Sequence, residues 1–430
     1  MADLTAKFTR VVQYAVTARC RTPLRTGGTE NDSEFVLCRW DGRAIIQAAS
    51  LAGAFRDWLI SREKTALAEE LFGSQERGSE LILTDGEFEE TALQQLRPRV
   101  ALDGKTGAAE EGKKFDMAHI AKGAKFSFVL TLLCTEETEQ PHSAGVEELL
   151  AALHRGYILL GGQKSNGFGR TELTEVVKTR YDLTQESDRS LWLTESKQGD
   201  IFDPGLIPMA VSVYGRNRVT FTLSGTVDGL LIRAAADENT GERDTAVNIR
   251  ENNIWVIPGA SVKGAVRGRA EMIDGYLKLG GLSRKMFGCE DDTQRDGKAG
   301  ELRFEDGYLT CKPREISRVR IDRFTGGVME GALFSEKPLF GRLKLTVTVP
   351  DEGAKCALLL LALRDLGLGL YSLGSGGSIG RGYLSDVSID VNGQPMLRFE
   401  KNTLVSVQQQ ELSDRWMAAL SDLKRGGGAE

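Results

Sequence analysis

Along this chain, segments in which hydrophobic and polar residues alternate are followed by segments with helical spacing, and this order recurs. The stretch VVQYAVTARC (11–20) alternates and carries β-branched residues, which predicts a strand. SLAGAFRDWLISREKTALAEELF (50–72) has helical spacing, and AKFSFVLTLLC (124–134) again has a strand pattern. GVEELLAALHRGYILLG (145–161) predicts a second helix that leads into a glycine-rich loop. The order strand, helix, strand, followed by the same order again, predicts an α+β fold of the ferredoxin-like type, which RNA-recognition modules share.

The same blocks occur twice in the chain, in the same order. SLAGAFR (50–56) matches SVKGAVR (261–267) at a spacing of 211 residues (261 − 50), and GFGR (167–170) matches SIGR (378–381) at the same spacing. Further matches join RVVQYAV (10–16) to RVTFTLS (218–224), LFG (71–73) to MFG (286–288), and the segment 99–115 to the segment 318–334. An ordered set of five matches predicts two copies of one domain.

The repeat sets the predicted boundaries. The first domain spans 1–182, a polar linker with proline and glycine spans 183–215, and the second domain spans 216–400. A C-terminal helix and tail follow at 401–430, with Leu412, Trp416, Leu420 and Leu423 on one helical face. That face is expected to pack on the chain's own core, and the alternative is a contact with a partner.

Composition narrows the class of protein. The chain has 430 residues, a net charge of −6, three histidines and six cysteines. No two cysteines form a C-x-x-C pair, so a zinc site is not expected. The N-terminus has no signal-peptide pattern and no apolar run is long enough for a bilayer, so the expectation is a soluble cytoplasmic protein without membrane contact. The acidic charge means that any nucleic-acid binding must depend on local basic features.

The loop GGQKSNGFGR (161–170) has the composition of a phosphate-binding loop. A P-loop is excluded because Lys164 and Ser165 follow Gln163 instead of glycine, and because the loop follows a helix instead of preceding one. A tight helix-to-strand turn is the simplest alternative. The second loop, GSGGSIGR (374–381), also ends in Gly-Arg, which favours contact with a nucleic-acid backbone. The candidate residues are Lys164, Ser165, Asn166, Arg170, Ser378 and Arg381.

The segments IPGASVKGAVRGRAE (257–271) and RVRIDRFTGG (318–327), with the second glycine loop, resemble the RAMP superfamily of CRISPR-associated proteins. The likeness is greatest to the repeated backbone subunit of type III interference complexes, and two domains in one chain resemble the fused subunits of III-D-like systems. The resemblance implies two tandem ferredoxin-like, RRM-like domains with thumb hairpin insertions, whose turns would lie at Thr106–Gly107 and Thr325–Gly326. It also implies three kinds of partner: a CRISPR guide RNA, a target RNA and other effector subunits.

The resemblance implies that the two helix-opening motifs hold guide-RNA phosphates through the helix N-termini and nearby side chains. The residues concerned are Ser50, Arg56, Ser261, Lys263 and Arg267. The first copy departs from the family pattern, because Gln47 and Ala48 replace Pro-Gly and Ala52 replaces lysine. Ordinary helix capping and a solvated cation are the alternative interpretation of these residues.

Type III backbone subunits that cut RNA carry an aspartate in the loop after the first strand, about twenty residues before the helix motif. The resemblance therefore implies Asp32, 21 residues before Gly53, and Asp244, 20 residues before Gly264, as catalytic candidates. Nearby alternatives are Asp41, Asp237 and Glu242. The implied cofactor is Mg²⁺ or Mn²⁺, held with help from RNA phosphates, although the metal-ligating residues are unknown.

Three functions remain open at this point. The first is a metal-dependent endoribonuclease that cuts complementary target RNA at one aspartate in each domain. The second is a non-catalytic scaffold that binds the same guide RNA. The third is a guide-processing endoribonuclease, for which Tyr157 and Tyr371 stand near the glycine loops. The duplication favours a protein that covers RNA along its length over the third function.

Overall fold

The computed structural model describes residues 8–27, 36–90, 92, 94–102, 109–208, 218–232, 245–246, 248–251, 253–289 and 297–426. Two compact units emerge. Unit 1 comprises Met1–Leu96, Met117–Lys164 and Phe168–Gly215, and unit 2 comprises Arg97–Asp116, Ser165–Gly167 and Arg216–Glu430. Unit 2 therefore includes two short pieces of the first sequence repeat, namely most of a hairpin and the tip of the glycine loop.

The first repeat and the linker form nine strands and four α-helices within the described residues. The strands are β1 (Arg10–Cys20), β2 (Ile45–Ile46), β3 (Leu81–Leu83), β4 (Gly86–Phe88), β5 (Gln94–Leu102), β6 (Ala109–Ile120), β7 (Lys125–Cys134), β8 (Thr171–Asp182) and β9 (Asp200–Ile201). The helices are α1 (Ala48–Ile60), α2 (Thr65–Phe72), α3 (Glu136–His154) and α4 (Glu186–Leu193).

The main sheet of the first repeat has the ferredoxin-like order. Its strands follow the order β2-β4-β7-β1-β8-β9, with β3 also paired to β7, and β1 is antiparallel to both neighbours. The alternation seen in the sequence of β1 buries Val12, Tyr14 and Val16. These side chains share one core with Leu51 and Phe55 of α1. The predicted strand and helix faces are thus the faces that pack together.

The second repeat forms the same arrangement with additional strands. The strands are β10 (Arg218–Leu230), β11 (Thr245–Ala246), β12 (Arg250–Glu251), β13 (Ile254–Ile257), β14 (Gly288–Cys289), β15 (Lys298–Ala299), β16 (Arg303–Phe304), β17 (Gly307–Pro313), β18 (Ile316–Ile321), β19 (Val328–Glu336), β20 (Leu339–Pro350), β21 (Tyr383–Val391), β22 (Gln394–Glu400) and β23 (Thr403–Val407). The helices are α5 (Gly259–Leu277), α6 (Leu282–Phe287), α7 (Gly353–Gly367) and α8 (Gln410–Gly426). The sheet order is β12-β13-β17-β20-β10-β21-β22-β23, with β16 also paired to β20.

Each repeat carries a hairpin outside its main sheet, as the fold prediction required. Strands β5 and β6 pair in the first repeat, and β18 and β19 pair in the second, where β11 joins them. The predicted turn at Thr325–Gly326 lies between β18 and β19, and the Asp322 carboxylate accepts hydrogen bonds from the Thr325 amide (2.7 Å) and the Phe324 amide (2.9 Å). The equivalent turn, Thr106–Gly107, lies outside the described residues.

The C-terminal helix α8 packs on the protein's own core. Trp416 and Leu420 are buried in the core of unit 2, and Leu412 packs against it. The Trp416 ring lies 5.6 Å from the ring of Phe221 in β10, measured between centroids. This contact confirms the expectation that the apolar face of α8 covers the chain itself, although Leu423 stays exposed.

Candidate nucleic-acid interface

Helices α1 and α5 begin at the two motifs that were identified in the sequence. The first amide of each helix donates a hydrogen bond to an aspartate side chain of the same chain. The Ala48 amide donates to Asp85 Oδ1 (2.7 Å), and the Gly259 amide donates to Asp306 Oδ1 (2.8 Å). A carboxylate at a helix N-terminus supplies the negative charge that the helix dipole favours. The first amide of each helix is thus already engaged by a carboxylate of the chain, and contact of these N-termini with RNA phosphates stays a prediction.

Sequence inspection missed these two aspartates, although a signal was present. Asp85 precedes Gly86 and Asp306 precedes Gly307, at a spacing of 221 residues (306 − 85), so the Asp-Gly pair is part of the repeat. Asp85 is exposed, whereas Asp306 is only 6% exposed. The two repeats therefore place the same capping residue in different surroundings.

Asp306 belongs to a buried ionic cluster within unit 2. The Arg97 guanidinium, from β5, donates to Asp306 Oδ2 (2.8 Å) through Nη2 and to Glu251 Oε1 (2.9 Å) through Nε. Arg97 is 3% exposed and Glu251 is 8% exposed. Burial by itself would lower the pKa of Arg97, but Asp306 and Glu251 outweigh it and raise that pKa. The cluster holds the first repeat's hairpin strand against the capped start of α5.

The tip of the first glycine loop lies beside α5, also within unit 2. The Lys263 ammonium is 3.4 Å from the Ser165 hydroxyl oxygen, although 98 residues separate the two in sequence. A Cβ on Gly167 would lie 2.3 Å from the Phe304 carbonyl oxygen, and one on Gly259 would lie 2.2 Å from the same atom. Glycine is required at both places because backbone approaches backbone this closely. The structure thus joins two sets of predicted residues in one place.

Two arginines act on Lys263 and make its protonated form less favourable. Burial lowers the pKa of Lys263 below its ordinary value, and the charges of Arg267 and Arg99 lower it further. Arg267 is half-buried and forms an ion pair with Glu271 (2.7 Å). Arg99, from β5, was not among the predicted site residues. We call Ser165, Lys263, Arg267 and Arg99 the cationic cluster. A phosphate among these groups would offset their mutual repulsion.

The other predicted RNA-binding residues of the two helices do not form a comparable cluster of charges. Ser261 is half-buried in the first turn of α5, and Ser50 is exposed in the first turn of α1. Arg56 is half-buried on α1, and no side-chain hydrogen bond or ion pair of Arg56 is found within the part of the chain that the structure describes. Ala52 takes the position of Lys263 in the first repeat. The first repeat therefore has less positive charge on this helix than the second.

Part of each glycine loop is a tight turn between a helix and a strand, which is the simpler of the two interpretations given above. A Cβ on Gly169 would lie 2.0 Å from the Leu160 carbonyl oxygen, and one on Gly382 would lie 1.9 Å from the Leu373 carbonyl oxygen. Both glycines have positive φ, at 88° and 71°. Lys164, Arg170 and Ser378 are exposed, and Asn166 is half-buried.

Arg381 differs from the other predicted loop residues in its surroundings. It is buried, and its guanidinium forms an ion pair with the buried carboxylate of Glu336 at the end of β19. Arg318 contacts the same carboxylate at 3.5 Å. The charge of Arg381 therefore stabilises the base of the second hairpin, and a phosphate contact would require breaking this buried pair.

The predicted catalytic residues Asp32 and Asp244 lie outside the described residues, as do the alternatives Asp237 and Glu242. Asp41 is described. Its carboxylate accepts hydrogen bonds from the Arg43 side chain (2.8 Å) and the Arg43 amide (3.1 Å), which lower the pKa of Asp41. No group of three His, Cys, Asp or Glu side chains within the described ranges could hold a metal ion.

Comparison with known proteins supports the tandem repeat and shows the family to which both copies belong. The family model described as the RAMP superfamily matches residues 17–172 and 215–385, one match in each repeat. No curated protein matches the chain significantly. Among the helices that the structure describes, none has the length and apolar character needed to cross a membrane.

Proposed function

The chain belongs to the RAMP superfamily, and on that premise we propose that it is a guide-RNA-binding backbone subunit of a type III CRISPR interference complex acting in the cytoplasm. The observation that carries the proposal is the cationic cluster. Residues from the glycine loop and hairpin of one repeat meet the helix motif of the next, where burial, Arg267 and Arg99 lower the pKa of Lys263. A phosphodiester has the charge and size to bind there, since Lys and Arg bind phosphate oxygens with charge-assisted hydrogen bonds.

The phosphate contact can be tested by RNA binding of the full chain, measured by fluorescence anisotropy at several salt concentrations. Lys263→Ala should weaken binding roughly tenfold, since a hydrogen bond to a charged group is lost. It should also reduce the slope of log K against log salt by about 0.7, the value for one phosphate of a single strand. Lys285→Ala, which removes an exposed lysine from α6, is the matched control. An unchanged slope in Lys263→Ala would contradict the proposal.

We further propose that the assembled complex cleaves complementary target RNA, with Asp32 and Asp244 as the catalytic residues and Mg²⁺ or Mn²⁺ as cofactor. A non-catalytic scaffold is the alternative, and the described carboxylates offer no metal site that would favour either. A guide-processing endoribonuclease is a further alternative. Tyr371 donates to the Ala362 carbonyl oxygen (3.0 Å) and Tyr157 stacks on Trp58, so both tyrosines have structural roles.

Product mapping distinguishes these functions. Asp32→Ala and Asp244→Ala should each remove one distinct cleavage product, and the double variant should remove both. Asp41→Ala is the control, because Asp41 is engaged by Arg43 and should leave every product in place. Persistence of all products in the double variant, with RNA still bound, would make the chain a scaffold. Chelation of divalent metal should stop cleavage without releasing the RNA.

A further inference from the structure

Two aromatic rings stack on one another in the first repeat, where the last turn of α1 meets the segment after α3. The rings of Trp58 and Tyr157 lie 6.2 Å apart between centroids and are nearly parallel, at an angle of 13°. The Arg62 guanidinium lies over the Trp58 ring, 4.3 Å from its centroid. Trp58 is half-buried, whereas 40% of the Tyr157 side chain is exposed. Tyr157 is therefore the solvent-facing end of the stack.

The backbone around Tyr157 holds its ring in a fixed place beside the first glycine loop. The Tyr157 amide donates to the Ala152 carbonyl oxygen (2.9 Å), and the Gly156 amide donates to the Leu153 carbonyl oxygen (3.0 Å). Gly156 has a φ of 71°, a conformation that favours glycine. A Cβ on Gly156 would lie 2.7 Å from Arg170 Nε, so the Arg170 side chain crosses the backbone directly before Tyr157. The structure thus places an exposed aromatic ring next to an exposed cation of the loop.

The second repeat has the same backbone at this place but different side chains. The Leu370 amide donates to the carbonyl oxygen five residues earlier (3.0 Å), as the Tyr157 amide does, so Leu370 is the equivalent of Tyr157. At the spacing of 211 residues that relates α1 to α5, Arg269 takes the position of Trp58 (269 − 58) and forms an ion pair with Asp365 (2.7 Å). Aliphatic and ionic side chains therefore satisfy the shared fold here, and the fold itself does not require an aromatic stack.

We propose that Tyr157 is a stacking platform for one unpaired base of the bound RNA, with Arg170 placed to contact the adjoining phosphate. Bases of any sequence stack on aromatic side chains because every base has a π-face, and arginine beside the ring attracts the phosphate. The first repeat then contributes a contact that depends on the base, whereas the cationic cluster depends on charge. The inference rests on the proposed RNA binding, but none of its residues belongs to the cationic cluster, so the two can fail separately.

Fluorescence anisotropy of the full chain with a single-stranded RNA tests the proposal, over the same salt series as for Lys263→Ala. Tyr157→Ala should weaken RNA binding about fivefold or more, as the loss of one stacked base does. The slope of log K against log salt should keep its wild-type value, because no phosphate contact is removed. Tyr157→Phe keeps the aromatic face and should bind within about twofold of the wild type. Leu370→Ala, which removes the 55% exposed side chain at the equivalent position, should leave RNA binding unchanged.

An oligomer of the same length, in which abasic spacers replace the bases, provides the decisive comparison. Stacking requires a base, so Tyr157→Ala should bind this oligomer as the wild type does. Equal weakening for both oligomers would mean that Tyr157 acts only through the fold, and wild-type RNA affinity in Tyr157→Ala would equally overturn the proposal. A Tyr157→Ala protein that keeps its RNA affinity but loses association with another effector subunit would make the ring a protein anchor instead. Failure of the wild type to bind RNA at all would overturn the proposed function itself.

Discussion

Three arginines and one lysine that look alike in the sequence have different roles at the scale of single residues. Arg97 and Arg381 are buried in ion pairs with carboxylates of the same chain, whereas Lys263 and Arg267 lie in the cationic cluster. Breaking a buried ion pair lowers the free energy of unfolding much more than breaking an exposed one. Substitution of Arg97 or Arg381 should therefore affect stability, and substitution of Lys263 or Arg267 should affect RNA binding.

Removal of Arg97 should destabilise unit 2. Arg97→Ala leaves Glu251 and Asp306 buried without their counter-charge, which costs about 3–5 kcal/mol in the free energy of unfolding. Arg43→Ala breaks an exposed pair, which solvent screens, and should lower the free energy of unfolding far less than Arg97→Ala does. Chemical denaturation of both variants, followed by circular dichroism, measures the difference. Equal midpoints for the two variants would contradict the role given to the buried cluster.

The pKa of Lys263 predicts how RNA binding depends on pH. Only the protonated ammonium attracts phosphate, and the pKa of Lys263 is lowered by burial and by Arg267 and Arg99. Affinity should therefore fall as pH rises through that lowered pKa, before ordinary lysines lose their protons near 10.5. Lys263→Arg should abolish this step, because arginine stays charged. Anisotropy titrations from neutral to alkaline pH provide the test, and a step that persists in Lys263→Arg would assign it to another group.

At the scale of elements, the sequence predicted the strands and helices well because their signals are local, whereas the hairpins followed from the family resemblance. The alternation in β1 and the helical spacing after Ser50 each depend on neighbouring residues alone. The sequence could not separate the two uses of glycine in the loops. Gly169 makes a turn possible within the first repeat, while Gly167 allows the loop tip to approach Phe304. Both have positive φ and the same residue type, so only the neighbouring atoms distinguish them.

Gly169→Ala should disturb the first glycine loop. The added Cβ would lie 2.0 Å from the Leu160 carbonyl oxygen, at a residue with positive φ, and the strain should cost about 1–3 kcal/mol. Gly162→Ala is the matched control, since a Cβ there meets nothing within 4 Å. Thermal unfolding should show a lower Tm for Gly169→Ala only. A drop of the same size in both variants would mean that the loop responds to any loss of glycine.

At the scale of the whole molecule, the two repeats share a fold but have different charge on the equivalent helix. Arg56 and Arg267 occupy matching positions, 211 residues apart (267 − 56). Arg267 and Arg99 both act on Lys263 in the second repeat, whereas Ala52 replaces the lysine in the first repeat. The second repeat should therefore supply most of the affinity of the isolated chain for RNA.

The matched pair Arg56→Ala and Arg267→Ala measures this difference. Arg267→Ala should reduce RNA affinity several-fold more than Arg56→Ala, because charges that converge on one phosphate act together. Anisotropy at fixed, moderate salt gives the comparison, with unfolding midpoints as the control for stability. A larger loss in Arg56→Ala would transfer the main contact to the first repeat.

The sequence by itself determined the tandem repeat, the α+β order of elements and the family, because each follows from spacing and local periodicity along the chain. Only the tertiary structure decided the use of the charges. It buried Arg381 against Glu336, covered Asp306 with Arg97, and brought Ser165 to Lys263. These pairings join residues 45 to 209 positions apart, and the partner of a charged side chain depends on which surfaces the folded chain brings together. No local pattern contains that information.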